Sequence, residues 1–408
     1  MKVFSSAESL LPTATAEVEA QTGVHTAPLR VLHVINRLDV GGTEYGVLKV
    51  IQGLGEELFD HRVCATRGFD PGLARRQQLD GKVCAAGRQD QRFQFPLFRL
   101  ARIMKAYRPH IVHSRNWGAI EAIPAARLAG VPVVVHSEHG YELDMLGGLP
   151  GRRRLLRRAL YAWADAVFTV TGELRSYHAQ QAWVSCERIR VIHNGVDTRR
   201  FAPRPELRAD LRQRYGLPVN GFVVGAVGRM VPIKDHATLL KAAEAMAARG
   251  ADVHVVLAGT GPELERHQRY VADSALAGRV RFLGACDDIP AVLNALDVFV
   301  LPSISEGMSN TLLEAMASGL PAVATRVGGN PVLIEEDRTG WLFPPGDVPE
   351  LTARLECLAR HAGLRGELGA AARERAISHF SFERMIRDYR NLYLELARRR
   401  GIPAGRKA

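Results

Sequence analysis

Short apolar runs, mostly unbroken strings of Val, Ile and small residues, recur along the chain and constrain its fold more than any other feature. In the first half they are "LRVLHVI", "HRVCATR", "PHIVHS", "VPVVVHS", "AVFTVT" and "IRVIHN". In the second half they are "GFVVGAVG", "DVHVVLAG", "RVRFLG", "DVFVLP" and "PAVATR". Few alternate apolar with polar, so they read as strands buried on both faces of a parallel sheet. Amphipathic helical stretches lie between them, such as "DHATLLKAAEAMAARG", stopped by Gly250. Strand and helix alternating on this scale predict a doubly wound α/β architecture. The pattern completes one cycle near residue 195 and restarts near 220. The segment between, Asn194 to Gly221, is rich in Pro, Arg and Gly and reads as a linker with one short helix. Two Rossmann-like domains facing a cleft are expected: a disordered tail over 1–28, an N-terminal domain over 29–200, and a C-terminal domain over 201–380. A helix and tail over 381–408 should pack across both.

The 408 residues suit two or three domains at roughly 100–200 residues each. Net charge is +11, with most of the excess in the first 200 residues, which suggests an anionic partner such as phosphates or membrane headgroups. No aromatic-basic RNA signature or DNA-reading helix motif accompanies it, which argues against nucleic acid. The five cysteines are scattered, with no CxxC pair, so neither a disulfide framework nor a zinc site is expected. Residues 1–28 lack the apolar core of a signal peptide. No apolar run reaches the roughly 18–20 residues that span a bilayer. A cytoplasmic protein is expected on these grounds, peripheral on the cell membrane at most.

The candidate chemistry lies where strands end. After "VGAVG", Arg229 and Lys234 share a loop, where a planar fork of donors and a point charge can converge on a diphosphate. "LAGTGPELE" holds a G-x-G turn too short for a dinucleotide fingerprint. Gly284 ends another strand, and Asp287 and Asp288 lead into a helix start, where acids favour the helix dipole. The densest stretch is "SISEGMSNTLLEAMASGLPAVATRVGG", Ser303 to Gly329. Glu306 follows a strand and precedes Gly307, which permits close backbone approach. Ser309, Asn310 and Thr311 can cap a helix whose free N–H groups would attract a phosphate. Glu314 has two readings: a ligand for hydroxyls, or the closing residue of a Thr311-x-x-Glu314 capping box.

"EGMSNTLLEAMASGLPAVATRVGG" resembles the acid-x₇-acid segment of the retaining family 4 glycosyltransferases, which have the two-domain GT-B fold and use nucleotide-activated sugars. "HNGVDTRRF" is similar to that family's interdomain segment. "VLHVINRLDVGGTEYGVLKV" is similar to its first strand, glycine turn and first helix, and "HSEHGYE" to the segment holding its active-site His. The likeness covers about residues 30–390, and its front half is most similar to transferases of bacterial exopolysaccharide and exosortase systems. The resemblance implies that Arg229 and Lys234 neutralise the departing diphosphate, Glu306 holds donor-sugar hydroxyls, and His139 sits by the reacting sugar. It implies that Gly41, Gly42, Gly228, Gly284, Gly307, Met308, Ser309, Asn310 and Thr311 line the donor, with Glu314 on the ribose.

No Asp-x-Asp motif occurs in the chain, so fixed cations and a helix N-terminus are expected in place of a metal, with no cofactor. In "RRRLLRRALYAWADAV", Arg153, Arg154, Arg157 and Arg158 fall on one helix face. They are expected either to be solvated or to touch anionic headgroups, which would suit a lipid-linked saccharide acceptor. The rival enzyme reading is a nucleotide-sugar epimerase or hydrolase of the same fold.

Overall fold

The computed structural model describes residues 27–38, 42–76, 79, 81–87, 97–141 and 149–403. Residues 1–26 of the expected tail, the turn at Gly41, and Glu142 lie outside the described residues.

Among the described residues, thirteen strands form two all-parallel sheets. The first joins β1 (Leu29–Ile35), β2 (Phe59–Ala65), β3 (Val83–Ala85), β4 (Ile111–Arg115), β5 (Val133–Glu138), β6 (Ala166–Thr169) and β7 (Ile189–Val191), in the order β3-β2-β1-β4-β5-β6-β7. The second joins β8 (Phe222–Val227), β9 (Val253–Ala258), β10 (Val280–Gly284), β11 (Val298–Leu301), β12 (Ala322–Thr325) and β13 (Gly340–Phe343), in the order β10-β9-β8-β11-β12-β13. Strand order reverses beside β1 and again beside β8. Crevices at the carboxyl ends of β1/β4 and β8/β11 are therefore the natural ligand positions. The apolar runs form strands because both faces of each sheet are covered. Leu32, Val34, Val112 and Val134 pack on one face of the first sheet; Leu29, Val31, Ile111, Val133 and Val135 pack on the other. The sequence reading missed β3 and β13. β3 is three half-buried residues, and β13 is the four residues "GWLF".

Seven helices bear on the site: α1 (Gly42–Leu54), α2 (Gly151–Trp163), α3 (Gly172–Ala182), α4 (His236–Ala248), α5 (Asn310–Ala317), α6 (Ala362–Phe380) and α7 (Phe382–Arg399). The linker holds a 3-10 turn, Pro205–Leu207, and a short helix, Arg208–Arg214. That helix is fixed by buried Arg212, whose Nη2 donates to Asp297 Oδ2 at 2.6 Å. The same carboxylate oxygen accepts from Val223 N, so linker and second sheet are tied at one point.

The chain ends by returning to the first domain. α6 packs on the second domain, and then Val196 N donates to Phe380 O while Phe382 N donates to Val196 O. Gly195 is required here, because a Cβ would lie 2.8 Å from the Ser381 carbonyl oxygen. α7 then lays Met385, Ile386, Tyr389, Leu392, Tyr393 and Leu396 on the β1-side face of the first sheet. Burying a side chain of this kind contributes about 1.5–3 kcal/mol, so the helix is part of the first domain's core.

Candidate functional site

Glycines bring the loop after β8 into shape. Gly228 N donates to Ala258 O and Gly259 N donates to Gly284 O, which aligns three strand ends. A Cβ on Gly259 would lie 1.9 Å from Gly228 O, and one on Gly261 would lie 2.3 Å from Met230 O. The G-x-G turn is therefore a close packing device under the Arg229 loop. Gly284 leaves its strand at φ 65°, a left-handed conformation suited to glycine. Arg229 is exposed, one residue beyond Gly228. Lys234 ends a 3-10 turn, Pro232–Lys234, and Ile304 N donates to Ile233 O, which draws the β11 loop alongside.

That bond places Lys234 and Glu306 together: Lys234 Nζ donates to Glu306 Oε1 at 2.5 Å. Ser303 Oγ donates to the same oxygen at 2.7 Å. Both donors fall on Oε1, so Oε2 remains for another hydroxyl. Thr325 Oγ1 donates to Ser303 O at 2.6 Å, and the buried Asn330 amide donates to Thr325 O. The acid is thus braced from β12 and the turn beyond it.

The following residues touch the first domain. A Cβ on Gly307 would lie 2.0 Å from His139 O, and one on Gly329 would lie 2.3 Å from Gly307 O. Gly328 has φ 51°, and a Cβ there would strike Glu306 O. Met308 is buried; its carbonyl accepts from Asn194 Nδ2 at 3.0 Å and its sulfur from Asn194 N at 3.2 Å. Asn194 belongs to the interdomain segment, so the loop is held from both domains.

The cap of α5 is Ser309, not Thr311. Ser309 Oγ accepts from Leu312 N at 3.2 Å, while Thr311 Oγ1 lies 3.2 Å from Ser309 Oγ. The capping-box reading of Thr311 and Glu314 is corrected. With Ser309 as the cap, Glu314 falls beyond the position that could reach back, and it faces Lys49 of α1 at 3.6 Å instead. The cap engages the Leu312 amide, leaving the first-turn amides of Asn310 and Thr311 pointing out of the helix start. Burial pushes the Glu314 carboxyl above its ordinary value, against the pull of Lys49 and Arg200.

In the first domain, His139 follows β5. Its backbone N–H donates to Asn116 Oδ1 at 2.8 Å, and its Nε2 lies 2.8 Å from Ser137 Oγ. Burial, reinforced by Arg115, lowers its pKa to about 3, so the ring is neutral. Gly42 opens α1. Asn116, Lys49, Ser303 and Asn330 were not singled out from the sequence. For Asn116 and Ser303 the available signal was position, since they directly follow the strand runs "IVHSR" and "DVFVLP".

The arginine helix is turned the other way from the expectation. Arg157 is fully buried, near Glu138 and over the Trp117 ring at 4.8 Å. Arg153 also lies over Trp117, at 4.3 Å. Arg154 lies over Trp183 and donates to Gln180 O at 2.6 Å. Carbonyl, carboxylate and ring faces hold these guanidiniums inward, so only Arg158 of the four, with Arg152, is exposed. Leu155, Leu156 and Trp163 point outward, 60%, 51% and 52% exposed. Among the described residues, no His, Cys, Asp or Glu cluster is placed to hold a metal ion.

Comparison with known proteins agrees with this geometry. Residues 40–200 match the family described as Glycosyltransferase Family 4, and residues 221–361 that described as Glycosyl transferases group 1. An Escherichia coli UDP-Gal:alpha-D-GlcNAc-diphosphoundecaprenol alpha-1,3-galactosyltransferase is 30% identical over 74% of this chain and 79% of its own. A Mycolicibacterium smegmatis GDP-mannose-dependent alpha-(1-6)-phosphatidylinositol monomannoside mannosyltransferase is 34% identical over 64% of this chain and 69% of its own. In fold, the Anabaena HepE protein crystallised with UDP and glucose superposes with a TM-score of 0.78, at 20% identity, over 90% of this chain and 100% of that one. The two sheets are thus a GT-B arrangement.

Glu314→Gln tests the corrected cap. A carboxyl whose folded pKa is raised stabilises the fold only at low pH, and that contribution is lost as pH rises through the folded value. The substitution is therefore expected to leave stability at pH 7–8 unchanged or higher. Ser309→Ala, which removes the true cap, should cost about 1 kcal/mol. Urea unfolding of both variants measures this, and a larger loss in Glu314→Gln than in Ser309→Ala would restore the capping box.

Proposed function

The chain belongs to the family 4 glycosyltransferases, enzymes acting on nucleotide-sugar donors, and from that premise we propose that it glycosylates a lipid-linked saccharide with retention and without a metal. The observation that carries the reading is the Lys234–Glu306 pair beside the α5 start. The epimerase or hydrolase alternative is not favoured, since the relatives are named as transferases.

In this reading the donor diphosphate lies between Arg229, Lys234 and the amides of Asn310 and Thr311. Breaking the sugar–phosphate bond builds negative charge on the leaving oxygens, and these fixed donors stabilise it without reorganisation. Gly228, Gly284 and Gly307 let the backbone approach the donor, with Gly42 at the start of α1 on the first domain's side. Glu306 Oε2 takes a sugar hydroxyl, and Glu314 a ribose hydroxyl. The two acids lie along the donor instead of flanking the scissile bond, so a front-face substitution is favoured, the departing phosphate accepting the acceptor's proton. His139 stands beside the reacting sugar as a neutral ring.

The acceptor class rests on two supports. The Escherichia coli and Mycolicibacterium relatives carry lipid-borne acceptors in their names. The outward face of α2 offers Leu155, Leu156 and Trp163 with Arg152 and Arg158, and the helix contains no acid. Apolar side chains can enter the headgroup boundary while arginines meet anionic lipid. No helix among the described residues is long and apolar enough to cross a membrane, so we place the enzyme peripherally on the inner face of the cell membrane, in polysaccharide biosynthesis.

Transfer from a UDP- or GDP-sugar to a lipid-diphosphate GlcNAc, run in EDTA and read by NMR, should give a product with the donor's anomeric configuration. An inverted product, or one abolished by EDTA, overturns the mechanism. Lys234→Ala should lower turnover about 10²–10³-fold, as loss of one such donor commonly does; near-normal turnover would remove Lys234 from the site. The wild-type protein should sediment with phosphatidylglycerol vesicles at low salt, and Leu155→Glu with Leu156→Glu should weaken that at least tenfold. No sedimentation at low salt would reject the membrane face.

A further inference from the structure

We propose that a buried hydrogen-bonded chain from Tyr393 through His113 and Ser137, beside the charge of Arg115, fixes His139 as the Nδ1–H tautomer, making these four positioning residues for the transfer reaction. The proposal rests on the reading that His139 borders the reacting sugar.

The links are short and buried. Tyr393 Oη lies 2.7 Å from His113 Nδ1, His113 Nε2 lies 2.9 Å from Ser137 Oγ, and Ser137 Oγ lies 2.8 Å from His139 Nε2. Arg115, His113, Ser137 and Tyr393 are all at most 2% exposed. They share one face because β4 and β5 pair in register, His113 beside Val135 and Arg115 beside Ser137. Tyr393 arrives from α7, 280 residues later in sequence than His113. A surface role cannot explain the cluster, and a core would be simpler without it.

The charge of Arg115 biases the direction of the links. Its guanidinium is always charged and only donates. It lies beside the hydroxyls of Tyr389 and Tyr393 and favours their negative ends. The Tyr393 oxygen therefore faces the cation, and its O–H is turned to His113 Nδ1. Burial and the nearby Arg115 hold the His113 ring neutral, so an accepting Nδ1 leaves Nε2–H as donor to Ser137. The Ser137 hydroxyl then donates to His139 Nε2, and Nδ1–H is the ring's remaining donor. The same logic runs the opposite way from Arg115. Its Nη1 donates to His33 Nδ1 at 3.1 Å, and His33 Nε2 then donates to His61 Nδ1 at 3.0 Å.

The other face of β5 is held as firmly. Glu138 Oε1 accepts from Tyr161 at 3.0 Å and lies 3.3 Å from His136 Nε2, while His178 Nε2 donates to Gly140 O at 3.0 Å. The backbone at His139 and Gly140 is thus already fixed by a separate network, and the Ser137 chain has the ring alone left to orient. A loss confined to that chain should change the tautomer without displacing the loop.

The test uses the full-length protein with ¹⁵N-labelled histidine, His139 being assigned by difference from His139→Asn. The wild-type His139 spectrum should show a protonated Nδ1 and an accepting Nε2. Ser137→Ala and Tyr393→Phe should convert it to a tautomer mixture, while Ser137→Thr, which keeps the hydroxyl, should retain the wild-type pattern. Thermal unfolding of each variant confirms that it is folded, and the isosteric Tyr393→Phe supplies the result should Ser137→Ala fail to fold. Turnover should fall about tenfold in Ser137→Ala with donor KM unchanged, and Ser137→Thr should restore it. An unchanged tautomer in folded Ser137→Ala and Tyr393→Phe overturns the chain. A converted tautomer with turnover within twofold of wild type overturns the positioning role of His139 instead. An inactive wild-type protein with the predicted tautomers would reject the transfer reading and leave the chain standing.

Discussion

The site depends on a backbone contact that only glycine permits. Gly307 lies against the His139 carbonyl, and Gly329 against Gly307 and the Thr171 methyl. Three glycines let the second domain's acid-bearing loop touch the first domain's histidine-bearing loop with no side chain between. A methyl group at Gly307 would push apart the loops that carry Glu306 and His139. Gly307, Gly328 and Gly329 are therefore contact points between the two domains' loops.

Two polar networks hold the first domain's side of this contact. One runs on the α7 face of the first sheet and ends at the His139 ring. The other runs on the α2 face and ends at Glu138 and the Gly140 carbonyl. In the first, the side chains from Tyr393 through His113 and Ser137 to His139 pair with one another, which offsets part of the cost of burying them. The second network also explains the arginine helix. Arg157 enters the domain because Glu138 and Trp117 provide an anion and a ring face, and that rotation turns the leucines outward.

The fold was legible in the sequence to the extent that burial on both faces erases alternation. Strands such as "LRVLHVI" and "DVFVLP" emerge where expected, with β1 spanning Leu29–Ile35. β3 and β13 escaped although β7 and β11 are as short, because "VCA" and "GWLF" lack the β-branched runs that mark "IRVIHN" and "DVFVLP". In the site, Lys234 and Glu306 were legible as a loop cation and a loop acid, but their direct pairing was not. It depends on the Ile304–Ile233 backbone bond between loops 70 residues apart. The α5 cap was left open among Ser309, Asn310 and Thr311, all competent caps, and the entering backbone selects Ser309.

By itself the sequence determined the class of fold, the two-domain division, and the residue types gathered at the strand ends. Those follow from local periodicity and from chemistry that each residue carries with it. Tertiary structure alone decided which groups meet. It pairs Glu314 with Lys49 across the cleft, turns Arg153, Arg154 and Arg157 of α2 inward, and brings Tyr393 onto His113. Contacts between residues far apart in sequence leave no periodic trace; the packing of whole helices on sheets sets them, and burial then dictates which polar groups must find one another.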